Sequence, residues 1–272
     1  MISDILLVVA CGFMAAALRS FRHPLMFRLG AFGMVLTSFL AGWLLGGSLA
    51  LGFVFASTWF LLPWLEILTR VRRLRMPIDR QLELTPPPAR SVFPTFSELT
   101  EEMESHAFVH VEDVGWSHDE TRQFIRIFQQ PESRTLGAIC LIEQQEFAFY
   151  YLSLTSRTAD GRTFLTWNYP FAYGLRIPPD VQLNRVAGDG TIGELASAHA
   201  AFLSRCEIDT AALREPSSAT ARVEMQAELR HQLDHNLACG LLERDGPDLI
   251  RYSMRGMFFL WFQFLRDFVR IS

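Results

Sequence analysis

Four side chains stand at spacings that suit metal-ion or proton chemistry. Glu224, Glu228, His231 and His235 follow one another at intervals of four, three and four residues. On a helix turning about 100° per residue they fall within about 60° of one another. Carboxylate oxygens and neutral imidazole nitrogens are good ligands for zinc and iron, so Glu228, His231 and His235 are the candidate metal ligands. A plainer alternative is a solvated helix face on which Glu and His pair across one turn. Met225, Leu229, Leu233 and Leu237 repeat every four residues on the same helix and predict an apolar stripe roughly opposite.

Glu228-Leu-Arg-His231 matches the Glu-x-x-His pattern of carboxylate-bridged metal sites, but the second copy that those sites need is missing from the chain. His231-Gln-Leu-Asp-His235 resembles the His-x-x-Glu-His pattern of inverzincin proteases. Asp234 stands where that pattern has the glutamate general base, and little chain follows to supply a third ligand. What the resemblance implies is a metal-dependent enzyme.

A second group, His106, His110, Glu112, Asp113, His118, Asp119 and Glu120, mixes imidazoles and acids beside a strand. It suits proton transfer or metal binding, or else exposed strand and turn positions. Phosphate-binding glycine signatures and the G-x-S-x-G nucleophile elbow are absent. The segment from Trp167 through Tyr169, Phe171 and Tyr173 is dense in aromatic rings for a loop. It is the candidate partner-binding rim, the alternative being a loop packed on its own sheet.

A helix ending at Gly240, followed by Leu241-Leu242-Glu243-Arg244-Asp245-Gly246 and Arg251-Tyr252, resembles the end of a winged-helix domain. That resemblance implies a membrane-tethered regulator. Glu224, Glu228 and Asp234 on the would-be recognition helix would repel phosphate, and the acidic balance of the body argues against nucleic acid as a partner.

The elements that would position these residues begin in a membrane. Three apolar stretches run from about Ile5 to Leu18, from Leu29 to about Leu45 and from about Leu49 to Leu68. Between Leu29 and Ile67 the single charge is Glu66, over a length of about two crossings at ~20 residues each. Gly42 and Gly46, spaced as in small-xxx-small packing motifs, are the candidate helix-packing residues. Trp43, Trp59 and Trp64 are expected near the ends of spans. The first stretch lacks the positive leader and cleavage site of a signal peptide and reads as a span or an interfacial helix.

Arginine sets the orientation, and every basic residue among the 25 is an arginine. Arg19, Arg22 and Arg28 follow the first stretch; Arg70, Arg72, Arg73, Arg75 and Arg80 follow the third. With three spans or only the later hairpin, both groups fall on the cytoplasmic side. Cys11, Cys140, Cys206 and Cys239 form no C-x-x-C pair, which fits a reducing compartment. These features predict a multi-pass protein of a bacterial inner membrane with its larger domain in the cytoplasm.

Residues 1–68 are thus read as the transmembrane region and 69–94 as a basic, Pro-rich linker. The run Leu84-Thr85-Pro86-Pro87-Pro88 predicts an extended spacer. Residues 95–215 read as an α+β domain, an antiparallel sheet plus helices. Strand-like runs cover Phe108 to Val114, Phe124 to Phe128, Leu136 to Ile142, Phe147 to Leu154 and Arg162 to Trp167; a helix covers Ile192 to Arg205. Residues 216–256 read as a helix plus hairpin. Residues 257–272 read as an amphipathic helix at the membrane, with Phe258, Phe259, Trp261, Phe262, Phe264, Arg266 and Arg270 joining Arg70, Arg72, Arg73 and Arg75 at the interface. The expected function is a non-enzymatic, membrane-anchored accessory or scaffold subunit without a cofactor. Its partners would be the bilayer and a membrane protein or a second copy of the chain.

Overall fold

The computed structural model describes residues 2–21, 23–144, 147–171, 173–188 and 190–269. Arg22, Arg270 and Ile271, which carry part of the charge and amphipathic patterns above, lie outside the described residues. Three N-terminal helices are long and apolar enough to cross a membrane. They are α1 (Ile2–Ser20), α2 (Pro24–Leu40) and α3 (Leu49–Thr69). A π turn, Ala41–Leu45, extends α2. With 21 residues, α3 is about 30 Å long, the thickness of a hydrocarbon core.

Close backbone approach holds the three together. A Cβ at Gly42 would stand 2.5 Å from the Leu51 carbonyl oxygen, and one at Gly33 would stand 2.9 Å from the Ala15 Cβ. Glycine lets α2 sit against both neighbours, where packing rather than hydrophobic exclusion drives association. Gly46 faces the Leu51 side chain, 2.8 Å from the same hypothetical atom. Trp59 is mid-helix rather than at a span end: its Nε1 donates to Ser38 Oγ across 2.8 Å, satisfying two polar groups inside an apolar bundle.

Beyond the spans lies a seven-stranded sheet in the order β2 (Glu83–Leu84), β3 (Val109–His118), β4 (Thr121–Gln130), β5 (Thr135–Gln144), β6 (Phe147–Arg157), β7 (Thr163–Trp167), β8 (Val181–Arg185). The middle strands form the expected antiparallel meander. β8 adds a parallel strand at one edge, with Thr163 opposite Val181 and Trp167 opposite Arg185. Alternation along each strand sends side chains to two buried faces. On β4, Phe124 and Phe128 join a core with α4 (Phe96–Ser105) and α5 (Ile192–Arg205), while Ile125 and Ile127 join a core on the other face. Full burial of a ring such as Phe128 contributes about 2–3 kcal/mol.

The second face is covered by α6 (Ala221–Ala238), through Ala221, Met225 and Leu229. The antiparallel sheet plus helices expected from the sequence therefore forms three layers, with α4 and α5 on one face of the sheet and α6 on the other. Cover on both faces is needed because both alternating sets on β4 and β5 are apolar.

The stretch between the spans and the domain is also not a free spacer. β1 (Met76–Pro77) pairs with β10 (Leu249–Tyr252), which pairs with β9 (Leu242–Arg244), making a second, three-stranded sheet. Glu83 and Leu84 add to the edge of the large sheet. Ile78 and Leu82 are buried, so the prolines follow an anchored segment.

The last helix, α7 (Met254–Val269), starts three residues earlier than the sequence suggests. Ser253 Oγ accepts from the Gly256 backbone N–H at 3.0 Å, satisfying an early donor of the helix. α7 packs on α3: Met257 and Leu260 bury with Ile67, flanked by Trp64, Val71, Trp261 and Phe264. Trp261 Nε1 donates to the Phe60 carbonyl at 2.8 Å.

Candidate functional site

The polar face of α6 meets the large sheet across a cavity of about 370 Å³. Its floor is the odd-numbered side of β6 and β7: Tyr151, Ser153, Thr155, Arg157, Thr163 and Trp167. Its roof is α6, with Glu224, Glu228 and His231. A residue one position before an apolar contact lies only about 100° away on a helix. Glu224 and Glu228, next to Met225 and Leu229, therefore also face the sheet rather than open water.

Arg157 organises this side. Its Nη1 lies 3.0 Å from Glu224 Oε2 and its Nη2 2.5 Å from Glu228 Oε1. Arg214 adds a 2.7 Å contact to Glu224. Burial pushes the Glu228 carboxyl above its ordinary range, against the pull of Arg157. His231 Nε2 faces Asp180 Oδ1 at 3.0 Å. His235 turns the other way, 3.5 Å from Cys239 Sγ. Of the three candidate metal ligands, Glu228 and His231 line the cavity, each holding a different partner, and His235 does not. Among the described residues no group of three or more His, Cys, Asp or Glu side chains is placed to hold a metal ion.

The aromatic segment folds onto its own sheet. Trp167 packs against Tyr173 at 4.8 Å between ring centroids, and Tyr169 against Tyr151 at 5.1 Å. Phe171 and Phe147, 5.5 Å apart, leave an exposed edge. This loop is the crossover between the parallel strands β7 and β8. Asn236 of α6, fully buried, pins it: Oδ1 accepts from the Arg176 N–H at 2.8 Å, and Nδ2 donates to the Arg176 carbonyl at 2.9 Å. Sequence patterns gave no sign of that clamp, since a single Asn on a helix looks like any exposed polar residue. Trp167 Nε1 is shut off from solvent and has no hydrogen-bond partner.

The second His and acid group disperses. His110 and Arg126 both engage Asp113, at 2.9 and 2.7 Å. His118 lies 3.5 Å from Asp119 at the β3–β4 tip. His106 Nδ1 sits 2.9 Å from the Glu102 carbonyl. Glu112 lies 3.9 Å from Arg222.

One Ser–His pair escaped the sequence reading. Ser156 Oγ lies 3.0 Å from His199 Nε2, whose Nδ1 lies 2.8 Å from Thr166 Oγ1. Thr135 Oγ1 completes the chain at 3.0 Å from Ser156. Burial lowers the His199 imidazole to about 4. A catalytic triad needs a carboxylate behind the imidazole and an open nucleophile. Here the third group is a threonine, all four residues are buried, and none lines the cavity under α6. The network instead satisfies polar groups between β5, β6, β7 and α5.

The helix and hairpin that resemble a winged-helix end are present as α6, β9 and β10. Leu229 and Leu233 of α6 are spent on the two sheets, Glu224 and Glu228 on Arg157, and Asp234 on Arg230. No protein-family model, curated protein or solved structure matches the chain.

Proposed function

We propose that this chain is a non-catalytic, membrane-anchored accessory or scaffold subunit that holds its α+β domain fixed against the cytoplasmic face of a bacterial inner membrane. The observation that carries this reading is the seating of α7 along α3. Trp64 meets Phe258 at 4.8 Å and Trp59 meets Phe268 at 5.1 Å, beside the Trp261 bond. A domain clamped at both ends cannot swing as a tethered enzyme module would. The clustering of Arg19 and Arg28 with the arginines after α3 supports the cytoplasmic side. α7 places its remaining exposed rings, Phe258 and Phe262, where they would meet lipid, as an amphipathic membrane helix does. The partner is another membrane protein or a second copy, met through the apolar faces that α1 and α2 leave open, such as Phe13 and Phe32.

Mass determination of the detergent-purified protein, isolated from native membranes, tests this. A complex larger than one chain is expected. A clean monomer without a co-purifying protein would overturn it. Labelling of a cysteine placed at Arg205, in α5, tests the side: it should react only when the cytoplasmic face is open.

A second reading has one specific observation behind it. The cavity under α6 and its unpartnered Trp167 N–H suit a small, mostly apolar molecule with a hydrogen-bond acceptor, which would make the domain a sensor. Trp167→Phe should then abolish a ligand-induced rise in melting temperature found by screening neutral carbonyl compounds. If no such compound raises the wild-type melting temperature, this reading fails.

A further inference from the structure

Arg80 is set apart from other arginines packed into the domain by having, among the described residues, neither a carboxylate nor a carbonyl partner; Arg134, also without an acid, donates to the Ala211 and Leu213 carbonyls. Arg75, Arg126, Arg157 and Arg185 each have an acidic partner, Asp245, Asp113, Glu224 with Glu228, and Asp267. Among the described residues, no carboxylate lies within ion-pair reach of Arg80. Its Nε is shut off from solvent without a hydrogen-bond partner. Its guanidinium lies over the Trp116 ring, 4.8 Å from the centroid, and Nη2 reaches only the Met76 sulfur at 3.5 Å. The nearby phenols of Tyr151, Tyr173 and Tyr252 are pushed by burial further above their ordinary range, so they supply no negative charge. A shielded cation with an idle donor is costly unless an anion completes it.

The surroundings say where that anion would come from. Arg80 lines two cavities of about 720 Å³ each, which also share Pro77, Trp116, His118 and Gln123. One of them is walled by Arg73, Leu74, Arg75 and Met76. That wall begins four residues beyond Thr69, the last residue of α3. Four residues span at most about 14 Å, and a headgroup layer is roughly 5–8 Å deep. The mouth thus opens at or just above the headgroups. The same cavity is lined by Phe149 and Tyr169, which offer apolar surface. Its acids, Asp119 and Glu120, are exposed at the rim, and Asp119 faces His118.

The geometry points to a lipid site here: the phosphate of an anionic phospholipid enters between Arg73 and Trp116 and pairs with the Arg80 guanidinium. The inference rests on the membrane placement proposed above. It adds a lipid-recognition function that ties the domain to headgroup composition, and it uses a planar donor fork that suits phosphate.

The test uses the full chain in nanodiscs of phosphatidylcholine with and without phosphatidylglycerol, and in a neutral detergent with inorganic phosphate. Wild type should melt higher in the phosphatidylglycerol discs. Arg80→Met should lose that gain and bind the anionic lipid about ten- to a hundredfold more weakly, the loss of one charge-assisted contact. Arg205→Gln, on the distant end of α5, should keep it. An equal gain in Arg80→Met, or none in wild type, overturns the proposal. So does the same gain from inorganic phosphate in detergent, which would make this a soluble-anion site, or from phosphatidylcholine alone. A cysteine cross-link between α3 and α7 in the same discs reads the docking separately. If it fails to form, the membrane placement is at fault; if it forms without lipid selectivity, only the lipid site is.

Discussion

Trp261 and Phe60 are 201 residues apart in sequence and joined by a 2.8 Å bond from an indole N–H to a main-chain carbonyl. Pro63, within α3, has no N–H to give the Trp59 carbonyl four residues back, and a helix loosened there lets the adjoining Phe60 carbonyl tilt out to a second donor. The bond ties the last helix to the third span. Trp261→Phe keeps the ring and deletes the donor, so it should cost about 1 kcal/mol. Trp261→Ala also removes the packing on Trp64 and should cost about 3 kcal/mol. Limited proteolysis of α7 in detergent checks this, with faster cleavage in the alanine variant than in the phenylalanine one.

Asn236 makes a different kind of tie, from α6 to the crossover before β8. Asn236→Ala would leave the Arg176 N–H and carbonyl without their partner in a half-buried setting, at a cost of about 1–2 kcal/mol. Hydrogen exchange should rise at residues 173–180 and stay unchanged in β4 and β5. Uniform acceleration over the whole sheet would show that the residue supports the global fold instead.

How far the sequence carries can be judged from such pairs. The spans, the five meander strands and α5 follow from runs of apolar residues and from alternation, because each is a local pattern repeated over several residues. Thr191 and Glu194 even supply the capping box that starts α5. β1 and β2 are two residues each and show no period. β8, Val181–Arg185, is half-buried throughout, so its alternation is faint. The cavity is illegible for another reason: helical spacing places Glu228 and His231 on one side but gives no depth. Only Arg157, 71 residues upstream of Glu228, turns that side into a half-buried ion-pair network. Arg80 is likewise one of several arginines in a basic run until its neighbours show that it lacks an acidic partner.

The Arg157 network gives an asymmetric prediction. Arg157→Met leaves Glu224 and Glu228 facing each other with Arg214 as the remaining cation. Side-chain exposures of 14, 21 and 35% keep the cost below that of a fully buried pair, at about 2–3 kcal/mol. Glu228→Gln should cost far less, because burial already opposes the charge. A carboxyl raised in the folded state contributes stability below its unfolded value and loses it as pH rises through the folded one. Relative to wild type, the glutamine variant should therefore melt better at pH 7 than at pH 4. The opposite order would mean that the Arg157 attraction outweighs the burial.

His199 sets the acid limit of the domain. Its imidazole falls from an ordinary 6.5 to about 4 in the folded chain, because the buried ring sits between Ser156 and Thr166 without a counter-ion. The unfolded chain therefore binds a proton that the folded one refuses throughout that window. The neutral ring's contribution is complete above pH 6.5 and is lost progressively as pH falls towards 4. At about 1.4 kcal/mol for each pH unit crossed, the loss over the window is about 3 kcal/mol. His199→Gln keeps a donor and an acceptor but removes the titration. Its melting temperature should be lower than wild type at pH 7 and should change less between pH 6.5 and 4. Parallel pH profiles for the two proteins would show that acid sensitivity arises elsewhere, at Asp113 first, whose carboxyl burial would raise but hydrogen bonds from Arg126 and His110 hold low.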